Sequence, residues 1–384
     1  MKIQRLRNKI DKIDKSLLNL FENRIKISLK IAKYKMSNNK NIFDLQRENE
    51  ILKTIKKRSS QKFKQSNSFL FSTIINVGKI FQYRKIKNLP ENVKKTTNIT
   101  IKEILNTSEK NINKISMPRL GCLETNDSYS KIATSRAFTY STINNYTFIS
   151  DLFDAMDKNV IDFGVIEINS SSSQLTNNIY DILNKNNTHI YKILNLNAPY
   201  CLAANSNNNS FKKIISTTQI LSQCSTYIKK HKYEKSHLEL VSEAAFLVSK
   251  LDEPMAVICP KEVALKYKLN IIEENVQDNT KNNKKFLVVS KKMYTTSNQN
   301  ILSLSIKTNN TNKLLNNIST YFNINNIKLY QLQIITSTNK NDNSTVYLDF
   351  LGNIKDASTK AFINYLSYET DNFKFLGYYS EETV

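Results

Sequence analysis

The chain has 384 residues, a formal charge of +23, 40% hydrophobic and 23% charged residues, five glycines, five prolines, four cysteines and no tryptophan. That length accommodates two or three domains, and the composition excludes disordered, collagen-like and disulfide-dense classes. With so few glycines and neither a P-loop nor a dinucleotide-binding glycine signature, the sequence argues against a P-loop NTPase and a Rossmann dehydrogenase.

Residues 3–36 carry an unbroken helical pattern, with Leu6, Ile10, Ile13, Leu17, Leu20 and Ile31 at three- and four-residue steps and no Gly or Pro inside. At about 1.5 Å per residue this helix is about 50 Å long, more than a small domain covers by itself, so packing against a second copy of the chain is expected. Further helices are predicted over 44–58 and 66–85, making the first 85 residues an all-α module. Residues 88–115 read as a polar, Asn-rich linker with a short helix at 101–105. Beyond Pro118, short apolar runs (163–168, 256–259, 286–289) alternate with helical stretches (179–183, 243–249, 262–267), which argues for α/β. The last segment predicts strand 301–306, helix 313–322, strands 327–335 and 345–350, helix 359–366 and strand 373–378, a ferredoxin-like βαββαβ order.

Lysine carries most of the charge and is spread along the chain with Asn, Ile and Tyr, as in a protein encoded by AT-rich sequence. It reads as a solvated surface; a nucleic-acid footprint, the alternative, would cluster its cations in a stripe. The arginines are Arg5, Arg7, Arg24, Arg47, Arg58, Arg84, Arg119 and Arg136, none later. Cys122, Cys201, Cys224 and Cys259 are scattered, and His189, His231 and His237 add no ligand spacing, so no metal site and no cofactor is expected. No signal-peptide pattern and no uncharged apolar run of about 18 residues occurs, so a cytoplasmic protein without membrane contact is expected.

On the first helix Arg24 falls within about 20° of the apolar stripe, and Lys35, eleven residues on, within about 20° of Arg24. Cations on a buried face require an anionic partner. Asp44 or Glu48 could supply it from within the chain, and Asp44 can also cap the helix that carries Arg47 and Glu48. Arg7 lies about 100° off that face, where only a dimer partner could bring it in. Three arginines and a lysine converging on a helical interior suit a small dicarboxylate, because guanidinium forks bind carboxylates bidentately.

The run LRNKIDKIDKSLLNLFENRIKISLKIAKYK, then DLQREN and Gln82, resembles the all-helical chorismate mutase domain that heads the bifunctional P-protein family, chorismate mutase joined to prephenate dehydratase. The resemblance implies that Arg7 from the other subunit, Arg24 and Arg47 hold two carboxylates, that Lys35 and Gln82 bond the ether oxygen, and that Asp44 and Glu48 meet the substrate hydroxyl region. Gly78 stands where the family usually has a serine near the substrate. The rearrangement is pericyclic, so conformer selection and charge stabilisation suffice, and no nucleophile is needed.

From Leu120 the chain resembles prephenate dehydratase. Gly121 with Asp127-Ser128-Tyr129-Ser130 is similar to the family's glycine-serine-tyrosine-serine segment, and Ser128, Tyr129 and Ser130 are implied to contact substrate. DFGVIEINSSSS is similar to the family's glutamate-asparagine block, with Glu167 in the proline position, Asn169 in the glutamate position and Ser170 in the asparagine position. QCSTYI, SEAAFLV and AVICPKEVALKYKLNII keep the family's order, implying a two-lobed α/β domain with a cleft. Where the family has Thr-Arg-Phe, this chain has Lys284-Lys285-Phe286, so Lys284 replaces the implied catalytic threonine and Lys285 offers a cation to a carboxylate without a guanidinium fork. Thr217 replaces a histidine. A lysine of ordinary basicity is a poor acid for expelling a hydroxyl, and a dry cleft is what would improve it.

The end of the chain resembles an ACT regulatory domain through its element order, VYLDF and KFLGYY. Asn312-Lys313-Leu314 and Gln333-Ile334-Ile335-Thr336 replace the family's phenylalanine-binding segments, so feedback by phenylalanine is expected to be weak or absent. The expected architecture is therefore multidomain: an all-α mutase of three helices forming an intertwined dimer (1–87), a linker (88–115), a two-lobed α/β dehydratase (116–293) and an α+β ferredoxin-like ACT domain (294–384). The expected function is a bifunctional enzyme of phenylalanine biosynthesis with chorismate and prephenate as substrates. The alternatives are a mutase whose other domains persist as scaffold, and a basic nucleic-acid-binding protein.

Overall fold

A computed structural model describes residues 2–38, 40, 42, 44–85, 117–123, 129–168, 180–183, 185–205, 211–250, 254–279, 282–336, 344–370 and 372–384. The expected linker 88–115 and its helix lie outside the described residues. Helix α1 spans Lys2–Ser37, α2 Leu45–Arg58 and α3 Lys64–Lys85, within two residues of the boundaries expected from periodicity. Asp44 caps α2 by accepting the Arg47 backbone N–H. The apolar stripe on α1, expected to pack against a second copy, is not covered by this chain: Leu6, Ile10, Ile13, Leu17, Leu20 and Ile31 are all exposed, while Ile25 and Ala32 are buried.

The middle of the chain forms two sheets. In the first, β1 (Arg119–Leu123) lies parallel to β2 (Thr142–Tyr146) and β3 (Phe163–Ile168), with α4 (Tyr129–Ala137) and α5 (Ile149–Asp157) packed on it. The second contains β5 (Tyr200–Ala204), β6 (Lys213–Ser216), β7 (Glu234–His237), β8 (Met255–Pro260) and β9 (Asn270–Glu274), in the order β7-β6-β8-β5-β9. Helices α6 (Thr218–Gln223), α7 (Ser225–Lys230), α8 (Val241–Lys250) and α9 (Lys261–Lys266) accompany it. Long β4 (His189–Asn197) and β10 (Asn283–Ser290) run antiparallel to each other and return the chain to the first sheet, where β10 also pairs with β3. This is the two-lobed α/β arrangement expected beyond Pro118. A single apolar core runs through both lobes.

The last described elements are β11 (Ile301–Thr308), α10 (Thr311–Asn325), β12 (Lys328–Ile335), β13 (Ser344–Leu351), α11 (Ala357–Glu369) and β14 (Asn372–Thr383). Strand β13 pairs antiparallel with both β11 and β12, giving the βαββαβ order.

By packing, the chain forms two compact units: residues 1–106 with 300–375, and residues 107–299 with 376–384. In the first unit α10 and α11 pack against α3, burying Ile75, Asn76, Lys79, Ile80 and Tyr83. In the second, the end of β14 lies parallel to β4. Gly377 sits there because a Cβ would come within 2.4 Å of the Ile190 carbonyl oxygen, a backbone atom that cannot yield. Among the described residues no helix is long and apolar enough to cross a membrane.

Candidate active sites

The first candidate site lies where α1, α2 and α3 meet. Arg24, Ser28 and Lys35 recur at helical spacing on one side of α1, with Arg24 and Lys35 separated by about 16 Å along the axis. The Arg24 guanidinium is half-buried and donates to the Ile74 carbonyl at 3.4 Å, so its partner within the chain is a neutral oxygen and not the anion the sequence demands. Burial lowers its pKa, the signature of a cation held without its counter-charge. Lys35 Nζ donates to the Ile42 carbonyl at 3.1 Å and to Asp44 Oδ2 at 3.2 Å. Asp44 is thereby cap and counter-ion at once, and its carboxyl is held below the usual range chiefly by the Arg47 backbone N–H, with Lys35 adding to the effect.

From α3, Gly78 faces α1: a Cβ there would stand 3.4 Å from Ser28 Oγ and 3.6 Å from Arg24 Nη1, ordinary contact distances. Gln82 Nε2 donates to the Ser28 carbonyl at 2.9 Å and to Ser28 Oγ at 2.6 Å. Both amide hydrogens are thus engaged by α1, and bonding an ether oxygen requires this side chain to turn. Glu48 Oε1 lies 3.0 Å from Lys79 Nζ, so the cation it meets is on α3 and not Arg24 or Lys35 on α1.

Along one side of α1 the single chain therefore holds two groups, Arg24 with Gly78 and Gln82 around Ser28, and Lys35 with Asp44, while Glu48 meets α3 through Lys79. The chain does not bring in Arg7, exposed on the free half of α1, or Arg47, whose guanidinium turns outward to Glu50 at 3.2 Å. Lys79 was missed by sequence reasoning. Its signal is a lysine one helical turn from both Ile75 and Tyr83, on the side of α3 that is buried.

The second candidate site lies between the lobes of the middle domain. Ser128 is outside the described residues. Tyr129 opens α4 and is buried, its hydroxyl donating to the Pro199 carbonyl at 2.5 Å just before β5. Ser130 is 1% exposed, and its Oγ has no hydrogen-bond partner among the described residues. Lys284 on β10 is buried, with Nζ 3.0 Å from Glu167 Oε1 on β3 and 5.5 Å from the centroid of the Tyr129 ring. In the β3–β10 register Phe286 stands opposite Glu167, which makes Lys284 its diagonal neighbour on the same face.

Alternation along the strand sends Lys285 to the other face, where Nζ reaches Glu381 Oε1 at 2.6 Å. Lys284 and Lys285 therefore face opposite sides of β10, and the Lys285 cation expected to meet a carboxylate is engaged by Glu381. Glu167, which displaced the family's proline in the ungapped match, was not foreseen as the partner of Lys284. Thr217 caps α6 by accepting the Ile220 N–H, and His237 stands opposite the preceding Ser216 at the carboxyl end of β7. Both line a hollow of about 570 Å³. All four cysteines are buried and unbridged, and among the described residues no cluster of His, Cys, Asp and Glu could hold a metal ion.

A cation-bearing three-helix module is followed by a two-lobed α/β domain. The family description "Chorismate mutase type II" matches residues 6–83, and "Prephenate dehydratase" matches residues 121–294. The chain is 28% identical over 327 residues to a bifunctional chorismate mutase/prephenate dehydratase of Buchnera aphidicola subsp. Baizongia pistaciae, covering 81% of this chain and 82% of that protein. It is 22% identical to the Escherichia coli (strain K12) protein of the same description, over 99% of this chain and 96% of that one. Among solved structures, the prephenate dehydratase of Staphylococcus aureus subsp. aureus Mu50 superposes with a TM-score of 0.59 at 19% identity, covering 68% of this chain and 99% of that one, which is a likeness of fold. A prephenate dehydratase from Arthrobacter aurescens in complex with L-Phe gives 0.58 at 16% identity, covering 68% and 89%. The chain thus joins a chorismate mutase type II domain to a prephenate dehydratase domain, in the order its bifunctional relatives have them.

Proposed function

We propose that this chain rearranges chorismate to prephenate at the helical site and converts prephenate to phenylpyruvate between the lobes, two consecutive steps of phenylalanine biosynthesis. The observation that carries the first half is Arg24, a half-buried guanidinium whose hydrogen-bond partner among the described residues is a neutral carbonyl, on the same side of α1 as Lys35. A dicarboxylate supplies the missing anion. Arg24 takes one carboxylate, Arg47 swings inward from Glu50 for the other, and Arg7 arrives from a second subunit. Lys35 and Gln82 then direct hydrogens at the ether oxygen as charge develops on it. Positioning and charge stabilisation of this kind supply on the order of 8 kcal/mol, about a million-fold in rate.

The dimer rests on the apolar stripe of α1, whose Leu6, Ile10, Ile13, Leu17 and Leu20 are uncovered in one chain and suited to a second copy. We assign residues 1–87 to the mutase, 116–293 to the dehydratase and 294–384 to an ACT-like module. Asn312 and Lys313 stand in the first turn of that module's α10, in place of small residues, so phenylalanine regulation is weak or lost. Four reduced, buried thiols support a cytoplasmic setting.

In the dehydratase step the ring hydroxyl leaves as water, taking one proton, while the carboxylate leaves as carbon dioxide and its electron pair completes the aromatic ring. Lys284 is the proton donor in this reading, with Tyr129 and Ser130 beside it. A second reading, mutase alone, is favoured by one observation: the Lys284 ammonium is already paired with Glu167 in a site that is 8% and 13% exposed. Feeding prephenate to the purified chain and following phenylpyruvate decides between them. Product at a normal rate supports two activities; no product, with activity regained in Lys284→Thr, supports the second reading.

A further inference from the structure

Lys79 is tied to more than the mutase helices. Its ammonium lies 3.0 Å from Glu48 Oε1 on α2 and 2.5 Å from Glu369 Oε2 at the end of α11, with side-chain exposures of 8% for the lysine, 13% for Glu48 and 5% for Glu369. The Tyr83 hydroxyl donates to the other Glu369 oxygen at 3.3 Å. Around this centre the Tyr365 hydroxyl donates to Asn76 Oδ1, Asn76 Nδ2 to the Asn317 carbonyl, and Arg84 to Asn325. Burial alone would strip the proton from Lys79, but Glu369 and Glu48 outweigh it and hold the side chain charged. Burial also raises Glu369 above the usual carboxylate range, against the pull of Lys79. Two carboxylates thus share one buried cation, and one of them is a candidate residue of the mutase site.

Resting on the mutase reading, we propose that Lys79 is a positioning residue for chorismate rearrangement, fixing the Glu48 carboxylate, and that Glu369 of the C-terminal module is the second anchor of that ammonium. The arrangement makes a signed prediction. Removing Lys79 leaves Glu48 and Glu369 facing each other with no cation between them, an uncompensated buried pair that displaces Glu48 from its place. Removing the Glu369 charge as well relieves that repulsion, so the second substitution repairs part of what the first destroys. A residue that merely fills space gives two losses that add.

The test measures chorismate consumption by the full chain, with helix content followed by circular dichroism. Lys79→Met is expected to lower kcat/KM by at least about tenfold, and Lys79→Met/Glu369→Gln to recover at least about threefold of that loss. Lys79→Met with wild-type kcat/KM, or a double variant that falls further, overturns the proposal. Should Lys79→Met lose helix content, Glu369→Gln alone decides, since it keeps the Lys79–Glu48 pair: a KM for chorismate changed threefold or more supports the proposal, and an unchanged KM overturns it. A wild-type chain inert to chorismate overturns the mutase reading and this proposal with it, whereas an active wild type unmoved by the variants overturns this proposal alone.

Discussion

Lys35 in the helical module and Lys284 in the two-lobed domain both end on a carboxylate, yet in different surroundings. The Lys35–Asp44 pair is 20% and 44% exposed at the rim of a site, while the Lys284–Glu167 pair is 8% and 13% exposed. A rim pair exchanges partners at little cost when a dianionic ligand arrives, since water screens both charges. A buried pair does not, because separating it strands a charge. The chemistry runs in parallel: a pericyclic step asks only for placed charges, whereas expelling a hydroxyl asks for a proton from one particular atom. The proposed mutase step asks for charges such as Arg24 and Lys35 carry, whereas the Lys284 ammonium of the proposed dehydratase step is already held in an ion pair.

Substituting Arg24 separates the two regions most sharply. Arg24→Ala is expected to lower mutase kcat/KM by about a thousandfold, roughly 4 kcal/mol of transition-state stabilisation, and to leave phenylpyruvate formation from prephenate untouched. An Arg24→Ala chain that consumes chorismate at the wild-type rate places the rearrangement elsewhere. Lys284→Ala probes the other side: it strands Glu167 and is expected to destabilise the two-lobed domain by about 3 kcal/mol in denaturant unfolding, with Glu167→Gln restoring most of it. Additive losses in the double variant would break the contrast between rim and buried pairs.

Smaller effects sharpen the picture. Asp44→Ala removes the α2 cap and should cost about 1 kcal/mol. Because the folded-state pKa of Asp44 is depressed, its contribution is present above the ordinary carboxylate value of about 4 and is lost as pH falls through the lower folded value. Acid titration of helix content in wild type against Asp44→Ala checks this: the two curves should converge only at the acid end. The smallest effect is expected from phenylalanine, for which isothermal titration should give no micromolar binding; a micromolar constant would overturn the proposed weak regulation.

Much of this was legible in the sequence because helix periodicity and capping act locally. The three mutase helices, the Asp44 cap and the convergence of Arg24 and Lys35 follow from spacing within about forty residues. What was not legible was non-local. Neither lysine of the 284–285 pair announces its partner, since strand alternation sends one to Glu167 and the other to Glu381, more than ninety residues away in either direction. Glu369 ends α11 one turn after the buried Tyr365 and Leu366, but the lysine that meets it is 290 residues away. The free half of α1 shows the same limit, because periodicity reports an apolar face and only the helix's length pointed to a second copy as its cover.

The packing of α11 against α3 also bears on how the protein is made. Lys79 and Glu369 are 290 residues apart, so the first helices leave the ribosome long before the carboxylate that completes their charge balance exists. At roughly 5–20 residues per second, the wait is about 15–60 s. Throughout it Lys79, Asn76 and Tyr83 sit on a surface that is open to water and to any passing chain, and the whole dehydratase domain has time to fold in the interval. The helical module, first in the sequence, is among the last parts of the molecule to be finished.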